Sequence, residues 1–156
     1  MRCLIIHNLA SGPKSDEIFT FAQFLSQTGD EVVMRFLGDG MEPEDATADV
    51  GQFDRVVVSG GDGSVSNVLN HMRNTGVPAN LFFNNIGNAP EAAALAAACH
   101  AGKTAKVDMG EISWTDEEGT ERSHAFIIIA GTGFDAAIME KAESTKGDMG
   151  EIAYML

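Results

Sequence analysis

Residues 55–72 read Arg55-Val56-Val57-Val58-Ser59-Gly60-Gly61-Asp62-Gly63-Ser64-Val65-Ser66-Asn67-Val68-Leu69-Asn70-His71-Met72. Three consecutive valines make a strand buried on both faces, because a half-exposed strand would alternate apolar and polar residues. The period then changes. Val65, Val68, Leu69 and Met72 fall at helical spacing, with Gly76 placed to close the helix. A strand that passes through a glycine turn directly into a helix is half of a parallel α/β unit.

Upstream, Arg2 to His7 is a short apolar run and reads as a first strand. Ser15 offers an N-cap, Asp16 and Glu17 suit the positive end of a helix dipole, and Ile18, Ala22 and Leu25 share a face before Gly29. Glu31 to Phe36 predicts a second strand, and Pro43 opens a short helix through about Val50. Downstream, Asn80 to Phe83 predicts a fourth strand and Pro90 to Ala101 an alanine-rich helix closed by Gly102. The pattern changes after Thr104. Apolar runs at Lys106–Trp114 and Arg122–Ala130 flank Asp116-Glu117-Glu118-Gly119, a hairpin signal. Gly131-Thr132-Gly133 suits a sharp turn, and Phe134 to Lys141 looks helical. The expected fold is α/β, a mostly parallel sheet with flanking helices over 1–103, followed by a separate segment over 104–156.

Composition bounds the partners. The chain has 156 residues, 44% hydrophobic and 21% charged, as a globular protein of one-domain length does. Its formal charge of −13 argues against a general nucleic-acid binder and against docking to an anionic membrane surface. Cys3 and Cys99 lack metal-ligand or Cys-x-x-Cys spacing and read as buried, reduced thiols. The Met1–His7 run is too short for a signal peptide, and no stretch approaches the ~20 apolar residues of a membrane span. A cytoplasmic location is expected. Glycine is in excess, 17 residues or about 11% against a usual ~7%, placed at the ends of apolar runs.

The Gly60–Ser64 loop at the start of a helix can present backbone N–H groups and a partial positive charge to an anion, most commonly phosphate. The bland alternative is a tight turn without a ligand. Asp62 beside a phosphate would need a cation between them, which points to Mg²⁺ held through water or phosphate oxygens; otherwise it is a solvated turn residue. The loop is neither a Walker A motif nor a Gly-x-Gly-x-x-Gly fingerprint. Asn8-Leu9-Ala10-Ser11-Gly12-Pro13-Lys14 follows the first strand and Asn84-Asn85-Ile86-Gly87-Asn88 the fourth, so three polar loops can gather on the carboxyl edge of the sheet. Lys14 is either solvated or within reach of a terminal phosphate. Asp108 is a structural acid or part of a metal and water network. His7, His71, His100 and His124 show no catalytic spacing and read as ordinary histidines.

These motifs together resemble the diacylglycerol kinase catalytic family, which includes sphingosine and long-chain-base kinases and is more distantly related to NAD kinases and phosphofructokinases. Asn8-Leu9-Ala10-Ser11-Gly12 is similar to the family's Asn-Pro-x-Ser-Gly, and Gly60-Gly61-Asp62-Gly63-Ser64 to its Gly-Gly-Asp-Gly-Thr. Asn85-Ile86-Gly87-Asn88-Ala89 falls on its Gly-Thr-x-Asn-Asp and Val107-Asp108-Met109-Gly110 on its Val-Asp-Leu-Gly. Gly133-Phe134-Asp135-Ala136 and Gly150-Glu151-Ile152-Ala153-Tyr154 match two later motifs. The resemblance implies a three-layer nucleotide-binding domain followed by the start of a β-rich second domain. It implies ATP with Mg²⁺ on Asn8–Gly12, Gly60–Ser64 and Asn88, and phosphoryl transfer to a lipid hydroxyl. It also implies that the acid activating that hydroxyl lies beyond Leu156, leaving this chain alone inactive and prone to self-association through uncovered apolar surface. Departures are Leu9 for proline, Asn67 for a glutamate, Phe36 and Leu37 where threonine is common, and Asn85, Ile86 and Ala89 in the third motif. Ile86 and Ala89 keep open a non-catalytic nucleotide-binding module. The glycine loop alone keeps open a soluble-substrate kinase akin to NAD kinases.

Overall fold

The structure, a computed structural model, describes residues 1–10, 16–38, 40–73, 75–80, 91–101 and 106–127. The chain divides after Val107 into two units. In the first, β1 (Arg2–Asn8), β2 (Glu31–Leu37), β3 (Arg55–Ser59) and β4 (Ala79–Asn80) form one sheet in the order β2-β1-β3-β4. Every pairing in it is parallel. Helices α1 (Glu17–Gln27), α2 (Pro43–Thr47), α3 (Asp62–Met72) and α4 (Ala92–Ala101) connect and cover it.

The period-2 geometry of β1 sorts its side chains between two cores. Leu4 and Ile6 join Val56 of β3 with Ala46, Val50, Phe53, Val68 and Met72, the layer of α2 and α3. Cys3 and Ile5 join Val57 with Phe21, Ala22, Leu25, Ala96 and Cys99, the layer of α1 and α4. The result is a three-layer α/β/α arrangement, as the valine run and the alternation of elements predict. Each fully buried aliphatic side chain contributes roughly 1.5–3 kcal/mol over exposure. Cys3 and Cys99 are buried thiols, not joined in a disulfide. Their mutual hydrogen bond, with burial, pushes the Cys3 thiol well above the usual thiol range.

Three boundaries differ from expectation. The helix opening at Pro43 stops at Thr47 and gives way to a 3-10 turn at Val50–Gln52. Arg35 Nη1 donates to the Ala46 carbonyl at 2.7 Å, the acceptor a continuing α-helix would offer Val50, and the guanidinium also grips Asp49 at 2.6 and 2.9 Å. Helix α3 begins at Asp62, inside the glycine motif rather than after it. Strand β4 spans Ala79–Asn80; the remainder of the expected strand lies outside the described residues. Ser15, Gly102, Gly131–Gly133 and the Phe134–Lys141 segment lie outside them as well.

Asp30 closes the amino edge of the sheet, its side chain 1% exposed. It accepts hydrogen bonds at 2.8 Å from the Met1 ammonium and at 2.8 Å from His100 Nδ1 on α4. Burial alone would raise its carboxyl pKa, but these two hydrogen bonds outweigh burial and hold it below the ordinary 3.8. The unfolded chain therefore binds the proton first as pH falls. Stability from Asp30 is complete above the ordinary value and is lost as pH drops through it toward the lower folded value. The gap in urea midpoint between the wild type and Asp30→Asn should accordingly narrow from pH 5 to pH 3. A gap that stays constant would contradict this.

In the second unit, β5 (Gly110–Thr115) and β6 (Glu121–Phe126) form an antiparallel hairpin with Gly110 opposite Phe126 and Thr115 opposite Glu121. Asp116 shapes its turn. Its carboxylate accepts from the backbone N–H groups of Glu118 at 3.1 Å and Thr120 at 2.8 Å, and from Arg122 Nε at 2.9 Å. Gly119 takes φ +82°, a conformation that side-chain-bearing residues rarely adopt. Among the described residues no helix is long and apolar enough to cross a membrane.

Candidate functional site

The strand order puts a switch point between β1 and β3. The chain leaves β1 for α1 on one face of the sheet and leaves β3 for α3 on the other. Loops that diverge to opposite faces open a crevice at the carboxyl ends of their strands, where α/β sheets bind ligands. The segments there are Asn8-Leu9-Ala10, where β1 ends, and Gly60–Ser64, which runs from the end of β3 into the first turn of α3.

Two side chains join these loops. Asn8 lies on the α3 side of β1, and its Nδ2 donates to Ser64 Oγ at 2.6 Å. Its Oδ1 accepts from the Ala10 N–H at 2.8 Å, which turns the chain back toward the crevice. Leu9 and Ala10 are exposed, and Ser64 is buried. The Leu9 N–H reaches the Leu37 carbonyl of β2 at 3.4 Å.

Gly60 threads between the joined residues. A Cβ on it would lie 2.8 Å from Ser64 Cβ, 2.9 Å from Ser64 Oγ and 3.2 Å from Asn8 Cβ. Close approach therefore demands glycine here. Left-handed backbone does not, because among the described residues the positive-φ glycines are Gly29, Gly38, Gly40, Gly76 and Gly119. Gly61 caps α3 in extended conformation and offers no side-chain hydrogen bond. The helical ladder starts with the Val65 N–H bonding to the Gly61 carbonyl at 3.1 Å. The amides of Asp62, Gly63 and Ser64 thus precede the ladder at the positive end of an 11-residue helix. This is an arrangement that can hold an anion.

Asp62, the first residue of α3, is exposed beside those amides. Among the described residues no group of three or more His, Cys, Asp or Glu forms a metal cage. A single exposed carboxylate can contribute one ligand, direct or through water, to a divalent cation, but does not hold one alone. Asp108 is exposed at the start of the second unit and ahead of β5. Ser11, Gly12, Lys14, Asn85, Ile86, Asn88 and Ala89 lie outside the described residues.

The structure also pairs two residues that spacing did not connect. His7 Nδ1 lies 2.9 Å from Ser59 Oγ, directly before the two loops. The sequence signal was positional: both are polar residues closing apolar strands, and parallel pairing sets them side by side.

Residues 2–112 match the family described as diacylglycerol kinase catalytic domain. The matched span includes both loops and ends within β5. No curated protein matches the chain.

Proposed function

Because the chain belongs to the diacylglycerol kinase catalytic-domain family, we propose that it binds Mg·ATP at the carboxyl edge of its sheet for phosphoryl transfer to a lipid hydroxyl. In this reading Asn8, Leu9, Ala10, Ser11 and Gly12 would contact the nucleotide from one loop, Gly60, Gly61, Asp62, Gly63 and Ser64 from the other, and Asn88 would add a third contact. The supporting observation is the uncapped start of α3, held against the β1 loop by the Asn8–Ser64 hydrogen bond.

The amides of Asp62, Gly63 and Ser64 would receive phosphate oxygens. In a chain of charge −13, fixed backbone dipoles do what side-chain cations do elsewhere, and they need no reorganisation as charge shifts during transfer. Asn8 keeps the two walls at a fixed separation and Ser64 anchors the helix end. Asp62 would be the residue to meet a magnesium ion carried in on the phosphates, and that ion would supply charge neutralisation of the transferring phosphoryl group. In this reading the segment from near residue 104 onward belongs to a second, β-rich unit.

Gly63 gives the reading a sharp test. It sits in the first turn of α3, and a Cβ there would have nothing within 4 Å. Alanine should favour the helix by roughly 0.5–1 kcal/mol, so the fold alone gives no reason for glycine. A phosphate seated on the helix end does. Gly63→Ala should therefore melt at or above the wild-type temperature yet bind Mg·ATP at least tenfold more weakly by isothermal titration. Wild-type protein that shows no heat at millimolar Mg·ATP would sink the reading. Binding without lipid phosphorylation would favour the non-catalytic alternative motivated by Ile86 and Ala89.

A further inference from the structure

We propose that His7 is a positioning residue that sets the glycine loop through Ser59, a role that rests on the nucleotide reading above for its functional consequence. His7 and Ser59 occupy the last rung of the β1–β3 pairing. Beyond that rung the two strands part, one toward each face of the sheet. Their side chains lie on the α1/α4 face, opposite the face on which Asn8 meets Ser64. The end of β1 is thus tied on one face to the end of β3 and on the other to the first turn of α3.

The imidazole is held from a second side. Its ring stands edge-on to Phe36 of β2, at 6.2 Å between centroids and 89° between planes. Phe19 of α1 packs on Phe36 in turn, at 6.2 Å. Hydrogen bond and ring contact together leave His7 little freedom at the centre of the sheet edge. That matters because Ser59 is the residue from which Gly60 emerges. Gly60 passes Ser64 and Asn8 with no room for a methyl group, so a small rotation at Ser59 displaces the whole cradle. Removing the pair should loosen the loop while the cores beneath, built from other residues, stay intact.

The test uses the full chain with Mg·ATP as the probe and hydrogen exchange as a second readout. His7→Leu keeps an apolar body against Phe36 and loses the ring nitrogen; Ser59→Ala loses the hydroxyl. Each should weaken Mg·ATP about fivefold, the value of one net hydrogen bond, with an unchanged melting temperature. The double variant should be no weaker than either single one. His7→Asn, whose amide reaches the position of Nδ1, should recover affinity to within about twofold. In ligand-free protein, His7→Leu should speed amide exchange in peptides covering 59–64 and leave α1 and α4 unchanged. Variants that bind like the wild type, or a double variant whose losses add, overturn the proposal. So does a loss of affinity that only follows a loss of melting temperature. If the wild type itself fails to bind Mg·ATP, the nucleotide reading falls. The exchange measurement then decides alone: faster exchange at 59–64 upholds the positioning role, and unchanged exchange overturns it.

Discussion

Gly60→Ala should lower affinity for Mg·ATP by about a hundredfold, the order expected when one or two hydrogen bonds to a charged group are lost. The added methyl would sit 2.8 Å from Ser64 Cβ and 3.2 Å from Asn8 Cβ. Ser64 is carried by the first turn of α3 and cannot swing away as the tip of a long side chain would. Relief requires the helix end to retreat from β1, which breaks the 2.6 Å Asn8–Ser64 hydrogen bond and widens the crevice. Overpacking of this kind costs about 1–3 kcal/mol of stability as well. Gly60→Ala and Gly63→Ala should thus weaken the ligand together while moving stability in opposite directions. Calorimetric titration paired with urea unfolding separates them. Retention of wild-type affinity by Gly60→Ala would mean that the two loops do not form one site.

Ile5→Ala should be the most damaging of the core truncations. Ile5 is 0% exposed, lies at the middle of the central strand and sits between Met34 of β2 and Val57 of β3. It packs in the cluster of Phe21 and Leu25, so both a strand and a helix layer lose contacts with it. Aliphatic-to-alanine changes at such sites cost about 2–5 kcal/mol. Against a usual total of about 5–15 kcal/mol, that is a large fraction. The urea midpoint should fall steeply with little change in slope. Val107→Ala, at a residue 64% exposed, should stay within about 0.5 kcal/mol of the wild type. A cost under about 1 kcal/mol for Ile5→Ala would contradict the layering.

The sheet was legible because its signal is long-range and repeated. Val56, Val57 and Val58 can only be a strand covered on both sides, and Val68, Leu69 and Met72 can only turn one face inward if they are helical. Which strands become neighbours was not written there, because β2-β1-β3-β4 depends on crossovers rather than on any local pattern. Helix ends were less legible. The stop at Thr47 depends on Arg35, eleven or more residues away, taking the Ala46 carbonyl. At the site, residue types announced a glycine turn, but the reason for glycine was visible only in three dimensions. Gly60 needs closeness rather than a left-handed backbone. His7 read as one of four unremarkable histidines because its partner is 52 residues distant.

The central place of β1 has a consequence for how the molecule is made. Of the four strands of the sheet, β1 leaves the ribosome first yet must end inside the sheet, and it acquires no strand partner until later segments appear. Arg2 meets Glu31, 29 residues on, while His7 meets Ser59, 52 residues on. Assembly of the sheet is therefore ordered outward in time, with β2 able to dock before β3 exists. Non-local pairing of this kind slows closure and prolongs exposure of apolar strand edges. During that interval Cys3 to Ile6 is the stretch in greatest need of cover. The crevice cannot form before β3 and α3 exist, since its two walls come from the earliest of these strands and from the third.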